Sequence, residues 1–253
     1  MDRYVRFAEV YDKMGADRFS AQMTNYVFEI IRHFEIKVSD VLDICCGTGT
    51  ACRMFAGSGL NVAGLDRSRH MLGIARKKLK GTGVKLYHQE LPEFLIPQKR
   101  GSKAPKQFDL ATSFFDSLNY LLTRRDLRTA FSSAHRHLRP GGHFVFDMNT
   151  PYALQFLWDG QEHSEVRDDL VTVWRNEYRE KNTSATCHAT FLVKRGRHWE
   201  RFDEEHVERS YSNADIKRLL RESGFIVRGF FDCLSFESPG RETYRICAVA
   251  RKK

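Results

Sequence analysis

The sequence predicts an α/β fold: a doubly wound, seven-stranded sheet with an antiparallel last strand, carrying an inserted antiparallel β meander. Three observations predict it. From residue 38 to about residue 150, short apolar runs alternate with helical stretches, the pattern of a parallel sheet covered on both faces. From about Asp169 to Tyr211 the runs follow one another with only tight turns between them, as antiparallel strands do. The last two strands lie too close together for a helical crossover and must pair antiparallel.

In chain order, a helix over Arg18–His33 sets Phe19, Met23, Val27, Ile30 and Ile31 on one stripe. Val38–Ile44 reads as the first strand, Gly49–Ala56 as a helix and Val62–Leu65 as the second strand. Ser68 is placed to cap the helix Ser68–Lys80. Val84–His88 and Phe108–Phe114 are strands three and four, Arg124–Leu138 is helical, and His143–Met148 follows the turn Arg139-Pro140-Gly141-Gly142 as strand five. The meander comprises Leu170–Arg179, Ala185–Lys194 and His198–Ser210. A helix over Asn213–Ser223 ends at Gly224, a C-cap. Phe225–Cys233 and Thr243–Ala250 complete the sheet. The expected division is a core of residues 1–150 and 212–253, with 151–211 as a β-rich insertion.

Composition narrows the class. With 253 residues, 42% hydrophobic and 29% charged, the chain can bury a single large core without staples. The charge of +9 is spread over small clusters such as Arg76-Lys77-Lys78 and Arg251-Lys252-Lys253, with no long basic stripe interleaved with aromatics. A solvated cationic surface is therefore favoured, and nucleic acid is the lesser alternative. The six cysteines lack the spacing of a secreted disulfide framework. Cys45, Cys46 and Cys52 do not match a zinc spacing either, so no metal is expected. Neither a signal core nor a membrane span is apparent, and a reducing cytoplasm is the expected location.

The strongest local signal is Val41 to Thr50, a buried strand running into Gly47-Thr48-Gly49 and then a helix. Glycine at such a junction permits positive φ and close approach of a ligand to the backbone, and ligands of such folds lie at the carboxyl ends of the strands. Asp43 stands on that strand. The second strand ends in Asp66, an acid placed to accept hydrogen bonds from both hydroxyls of an adenosyl ribose. A dinucleotide fingerprint would want a third small residue, where this chain has Cys52, and there is no phosphate-cradling loop ending in Gly-Lys-Ser/Thr.

The stretch Leu42-Asp43-Ile44-Cys45-Cys46-Gly47-Thr48-Gly49 resembles the first motif of the class I S-adenosylmethionine-dependent methyltransferases, whose usual pattern has glycine where Cys45 stands. Residues 68–76 are similar to the family's helix after the ribose-binding acid, and residues 137–147 to its turn into strand five. The resemblance covers residues 38 to about 150 and the C-terminal hairpin, and it implies the Rossmann-like form of the fold. It also implies S-adenosyl-L-methionine as cofactor, with S-adenosyl-L-homocysteine as product. By the same resemblance Gly47, Thr48 and Gly49 would face the methionyl part and Asp66 the ribose. Glu90 would meet the adenine amino group, and Leu91 would pack on the ring. Asp43, Cys45, Arg67, Met71 and Gln89 complete the expected pocket, and Phe114 and Phe115 would wall it.

The N-terminal Tyr4-x-x-Phe7-x-x-x-Tyr11-Asp12 resembles a segment that folds over the cofactor in small-molecule members, which assigns Tyr4 and Tyr11 to the cofactor. Asp116-Ser117-Leu118-Asn119-Tyr120 looks like those members too. The Asn-Pro-Pro-Tyr tetrad common in base- and glutamine-methylating members is absent after strand four, which favours a small-molecule amine or hydroxyl acceptor. Candidates for a base are Asp116, Tyr11 and His206. The insertion is expected to lid the acceptor pocket with Tyr152, Trp158 and Trp174, or alternatively to form a homodimer surface. The competing readings are a non-catalytic adenosyl- or RNA-binding module, an RNA methyltransferase and a dehydrogenase.

Overall fold

The computed structural model describes residues 5–99 and 101–253. Its main sheet has seven strands: β1 (Asp40–Ile44), β2 (Asn61–Asp66), β3 (Lys85–His88), β4 (Phe108–Ser113), β5 (Leu138–Asn149), β10 (Phe225–Asp232) and β11 (Arg245–Lys252). They lie side by side in the order β10-β11-β5-β4-β1-β2-β3. The pairs β1–β2, β1–β4, β2–β3 and β4–β5 are parallel, and β11 runs antiparallel to both its neighbours. Strand order reverses between β1 and β4, and the crevice beyond their carboxyl ends is where such a sheet takes its ligand.

Helices α2 (Asp17–His33), α3 (Thr50–Gly57) and α4 (Arg69–Lys78) cover one face. There Met23, Val27, Ile30, Phe55, Leu72 and Val62 share one buried cluster. Helices α5 (Arg124–Arg136) and α6 (Asn213–Glu222) cover the other, packing Phe131, Ile216 and Leu220 on Phe144 and Phe146. The sequence reads out these helices by their apolar stripes, and α4, α5 and α6 add a side-chain cap. Ser68 accepts the Met71 amide at 3.2 Å, Thr123 that of Asp126 at 3.0 Å and Ser212 that of Asp215 at 3.1 Å; such caps contribute roughly 1 kcal/mol each. On β2, a Cβ at Gly64 would lie 2.9 Å from the sulfurs of both Cys46 and Cys52, so only glycine lets the strand cross the first turn there. All six cysteines are free thiols.

The insertion forms its own antiparallel sheet, β6 (Glu162–Val166), β7 (Leu170–Arg179), β8 (Ser184–Arg195) and β9 (His198–Arg209), in sequential order. It has four strands where the sequence suggested three. Strand β6 reads Glu-His-Ser-Glu-Val and is largely exposed, so no apolar alternation announces it. A short helix α1 (Phe7–Tyr11) precedes the first long one and was not apparent as an element. Strand β5 begins at Leu138 and takes in the Pro140-Gly141-Gly142 turn, with a register irregularity against β4. Among the described residues no helix is long and apolar enough to cross a membrane.

Candidate active site

Beyond β1 the backbone turns sharply. Cys45, Gly47 and Gly49 all have positive φ, at 61°, 52° and 80°. Cys45 holds a left-handed conformation that costs a non-glycine residue about 1 kcal/mol or more. The turn is pinned by the Cys46 amide donating to Leu65 O at 2.9 Å and the Gly49 amide to Cys46 O at 2.9 Å. The two glycines serve different ends. A side chain at Gly47 would meet nothing within 4 Å and would project into the cavity, whereas one at Gly49 would strike Leu79 at 2.9 Å and Ala75 at 3.2 Å. Gly49 is thus set by packing against α4 and is absent from the cavity wall.

The Asp66 carboxylate accepts the amides of Gly47 (2.9 Å) and Ser68 (2.8 Å). Burial nonetheless raises its pKa above the ordinary value. Asp43 is buried at the end of β1, where it accepts from the Thr112 hydroxyl at 2.9 Å and the Cys52 thiol at 3.4 Å. Burial outweighs these bonds and lifts its pKa to about 7.

The N-terminal segment closes over this turn. Asp12 accepts from Thr48 Oγ1 at 2.7 Å and pairs with Lys78 at 2.7 Å, and Lys78 also donates to Thr48 and Thr50. From α1, Tyr11 sets its ring 6.3 Å from Phe115, while Phe7 lies 5.4 Å from Phe191 and 6.4 Å from Trp174 on the second sheet. One helix therefore touches both the turn after β4 and the second sheet.

These elements enclose a single cavity of about 510 Å³. Tyr11, Asp43, Cys45, Gly47, Thr48, Asp66, Arg67, Met71, Gln89, Glu90, Leu91, Phe114 and Phe115 all line it, as do the base candidates Asp116 and His206. Trp158 and Trp174 line it from the insertion. Tyr152 does not and packs on Phe156 instead, rings 5.3 Å apart. Tyr4 lies outside the described residues.

The floor under the second sheet joins Phe115 and Asp116 to three residues the sequence did not single out, Asp147, Arg245 and Glu208. After β4, Phe115 and Asp116 both adopt left-handed φ, at 58° and 52°. Two such residues in succession are strained, and Asp147 holds them by accepting both amides, at 2.7 Å and 3.0 Å. Arg245 pairs with Asp147 and, at 2.9 Å, with Asp116. Burial works against the guanidinium charge, but the two carboxylates hold its pKa well above the ordinary value. Glu208 on β9 is 1% exposed. It accepts from Asn149 Nδ2 at 2.8 Å. Burial and then Asp116 push the Glu208 pKa far up. Beside it, Tyr120 meets His206 Nδ1 at 3.1 Å. A signal for Glu208 existed, since strand alternation puts it on the same face as His206.

The chain aligns with a model of the methyltransferase domain over residues 41–142. A crystal structure of an S-adenosylmethionine-dependent methyltransferase from Clostridium acetobutylicum ATCC 824 superposes with a TM-score of 0.86 and 28% identity, covering 98% of each chain. The matched domain and the superposed structure support a class I S-adenosylmethionine-dependent methyltransferase. Two curated relatives match most of this methyltransferase. The provisionally named methyltransferase YqeM of Bacillus subtilis (strain 168) is 26% identical over 98% of this chain and 97% of the relative. A dTDP-3-amino-3,4,6-trideoxy-alpha-D-glucopyranose N,N-dimethyltransferase of Streptomyces venezuelae is 28% identical over 88% and 91%. The family cofactor, S-adenosylmethionine, fits the residues present: the open space at Gly47, the acid at the tip of β2, and Cys52 in place of the third glycine that a dinucleotide turn needs.

Proposed function

We propose that this methyltransferase acts on an amine or hydroxyl group of a small molecule. The observation that carries the reading is the single cavity of about 510 Å³ running from Gly47 and Asp66 to Trp158 and Trp174, a size usual for small-molecule sites (roughly 300–1,000 Å³). Residues 1–150 and 212–253 act as the cofactor-binding core, and residues 151–211 as a lid that shapes the acceptor chamber. Asp66 takes the ribose hydroxyls, Gly47 and Thr48 the methionyl part, and Glu90 and Leu91 the adenine. The cofactor supplies an activated methyl group. The protein holds the acceptor in line with it and keeps water out, and positioning of this kind can lower a barrier by roughly 7–11 kcal/mol. Tyr11 and the closed N-terminal segment roof the cofactor, and Asp116 and His206 stand on the acceptor side. The relatives named for N,N-dimethylation of dTDP-amino sugars support a small acceptor.

Calorimetry with S-adenosylmethionine, S-adenosylhomocysteine and NAD tests the cofactor half, with binding of the first two expected and none of NAD. A thermal-shift screen of metabolites in saturating S-adenosylhomocysteine then finds the acceptor. Trp174→Ala should leave S-adenosylhomocysteine affinity unchanged and cut turnover of that acceptor. Full turnover in the variant, with a dimer converted to a monomer, would instead make the insertion an assembly surface.

A further inference from the structure

The buried cluster beneath the lid holds more acid than base. Asp116 and Asp147 pair with one guanidinium, Arg245, and the buried Glu208 lies within its electrostatic reach. Asp147 is fully buried and committed to the amides of Phe115 and Asp116 as well as to Arg245. It does not line the cavity, whereas Asp116, Glu208 and Arg245 do. Burial holds the Glu208 carboxyl far above its ordinary pKa, which favours its neutral form. Even then the cluster carries one negative charge more than Arg245 neutralises.

We propose that Glu208 and Asp116, buried side chains at the floor of the acceptor chamber, bind the acceptor as an ammonium ion and take the proton its nitrogen must lose. The proposal rests on the methyltransferase reading above and narrows its acceptor to an amine. Arg245 on β11 is the guanidinium that faces the acids, and Asn149 on β5, Cys187 on β8, His206 on β9 and Tyr120 after β4 stand around them. An ammonium ion completes the charge balance; a hydroxyl acceptor leaves the excess unmet.

The step balances as follows. One N–H bond of the ammonium breaks and its proton passes to the carboxyl pair, leaving the nitrogen lone pair free. That pair forms the bond to the methyl carbon while the carbon–sulfur bond breaks, its electrons staying on sulfur. The carboxyl pair releases the proton to water when the product leaves. The strained backbone at Phe115 and Asp116, tied to Asp147, fixes the Asp116 carboxyl toward the chamber. Glu208 arrives on the lid sheet, so the pair is assembled only with the lid in place.

The test uses the intact protein saturated with S-adenosylhomocysteine and a panel of primary amines, each matched with the alcohol of the same skeleton. The panel includes glucosamine with glucose, and dTDP-3-amino-3,4,6-trideoxy-α-D-glucopyranose with its 3-hydroxyl counterpart. The expected result is at least one amine bound tenfold or more tighter than its alcohol, with that preference lost in Glu208→Gln and in Asp116→Asn. With S-adenosylmethionine and the amine so found, Glu208→Gln should lower kcat at neutral pH and regain it as the pH nears the amine's own pKa, while KM for S-adenosylmethionine stays fixed. A merely structural Glu208 would leave that pH profile unmoved. The proposal fails if amines bind no better than alcohols, if no probe binds, or if Glu208→Gln keeps the parental profile. Failure of the protein to bind S-adenosylhomocysteine at all would instead overturn the underlying reading.

Discussion

Asp66 Oδ2 accepts the Gly47 amide at 2.9 Å, which joins the tip of the second strand to the turn after the first. The carboxylate proposed to hold the ribose is thus already oriented by two backbone amides, and its orientation need not be fixed at the moment of binding.

Asp66→Ala should therefore weaken S-adenosylhomocysteine binding by roughly 2–4 kcal/mol, the loss of two charge-assisted bonds and of the orienting amide contacts. The fold should persist, because β2 keeps its ladders to β1 and β3. Calorimetry and circular dichroism on the same sample check both parts, and parental affinity in the variant would remove Asp66 from the site.

The two glycines of the first turn should fail in opposite ways. Gly47→Val places a β-branched side chain at φ 52° and into the cavity, so cofactor binding is lost at a smaller cost in stability. Gly49→Ala leaves the cavity wall alone but drives a methyl group to 2.9 Å from Leu79. With φ at 80°, it should lower stability by about 1–3 kcal/mol while the protein that remains folded still binds. Denaturant titration alongside calorimetry separates the two.

Asp43 makes the unliganded protein sensitive to pH. Its pKa stands at about 7 against the ordinary 3.8, so between those values the folded chain keeps a proton that the unfolded chain releases. Stability then falls as pH rises through that window. Asp43→Asn should be more stable than the parent at pH 8, by about 1–3 kcal/mol, with the advantage gone at pH 4. Equal melting temperatures across the range would show that Asp43 is charged in the folded state.

How far the sequence carried differs from element to element, for physical reasons. Strands β1, β2 and β4 are buried on both faces and read as apolar runs, and the helices declare themselves by stripe and cap. Strand β6 was hidden because its Glu-His-Ser-Glu-Val side chains are mostly solvated, and its only strong constraint is the ladder to β7. The cofactor side of the cavity was legible since its residues cluster just after strand ends, where local turn chemistry marks them. Its far side was legible in part. Asp116, His206, Trp158 and Trp174 were named and line the cavity, but Arg245 lies 129 residues from Asp116 and does not look unusual until the antiparallel β11 returns beside β5. Glu208 was half-visible through strand alternation, and Gly49 looked like its neighbour Gly47 because sequence cannot say which glycine faces space and which faces a leucine.

The close crossing at Gly64 has a chemical consequence. With the sulfurs of Cys46 and Cys52 each only 2.9 Å from where a Cβ would stand, there is no room for an added oxygen atom on either. The thiols are slow to react: Cys46 is held well above its ordinary pKa by its hydrogen bond to Cys52 and by burial, and little thiolate exists to attack a peroxide. Once a sulfenic acid does form, it must displace the strand that ends in Asp66. Oxidative damage would then register as lost cofactor affinity before any loss of fold. Graded peroxide treatment followed by S-adenosylhomocysteine titration should show that order, and a Cys46→Ala, Cys52→Ala double variant should be spared.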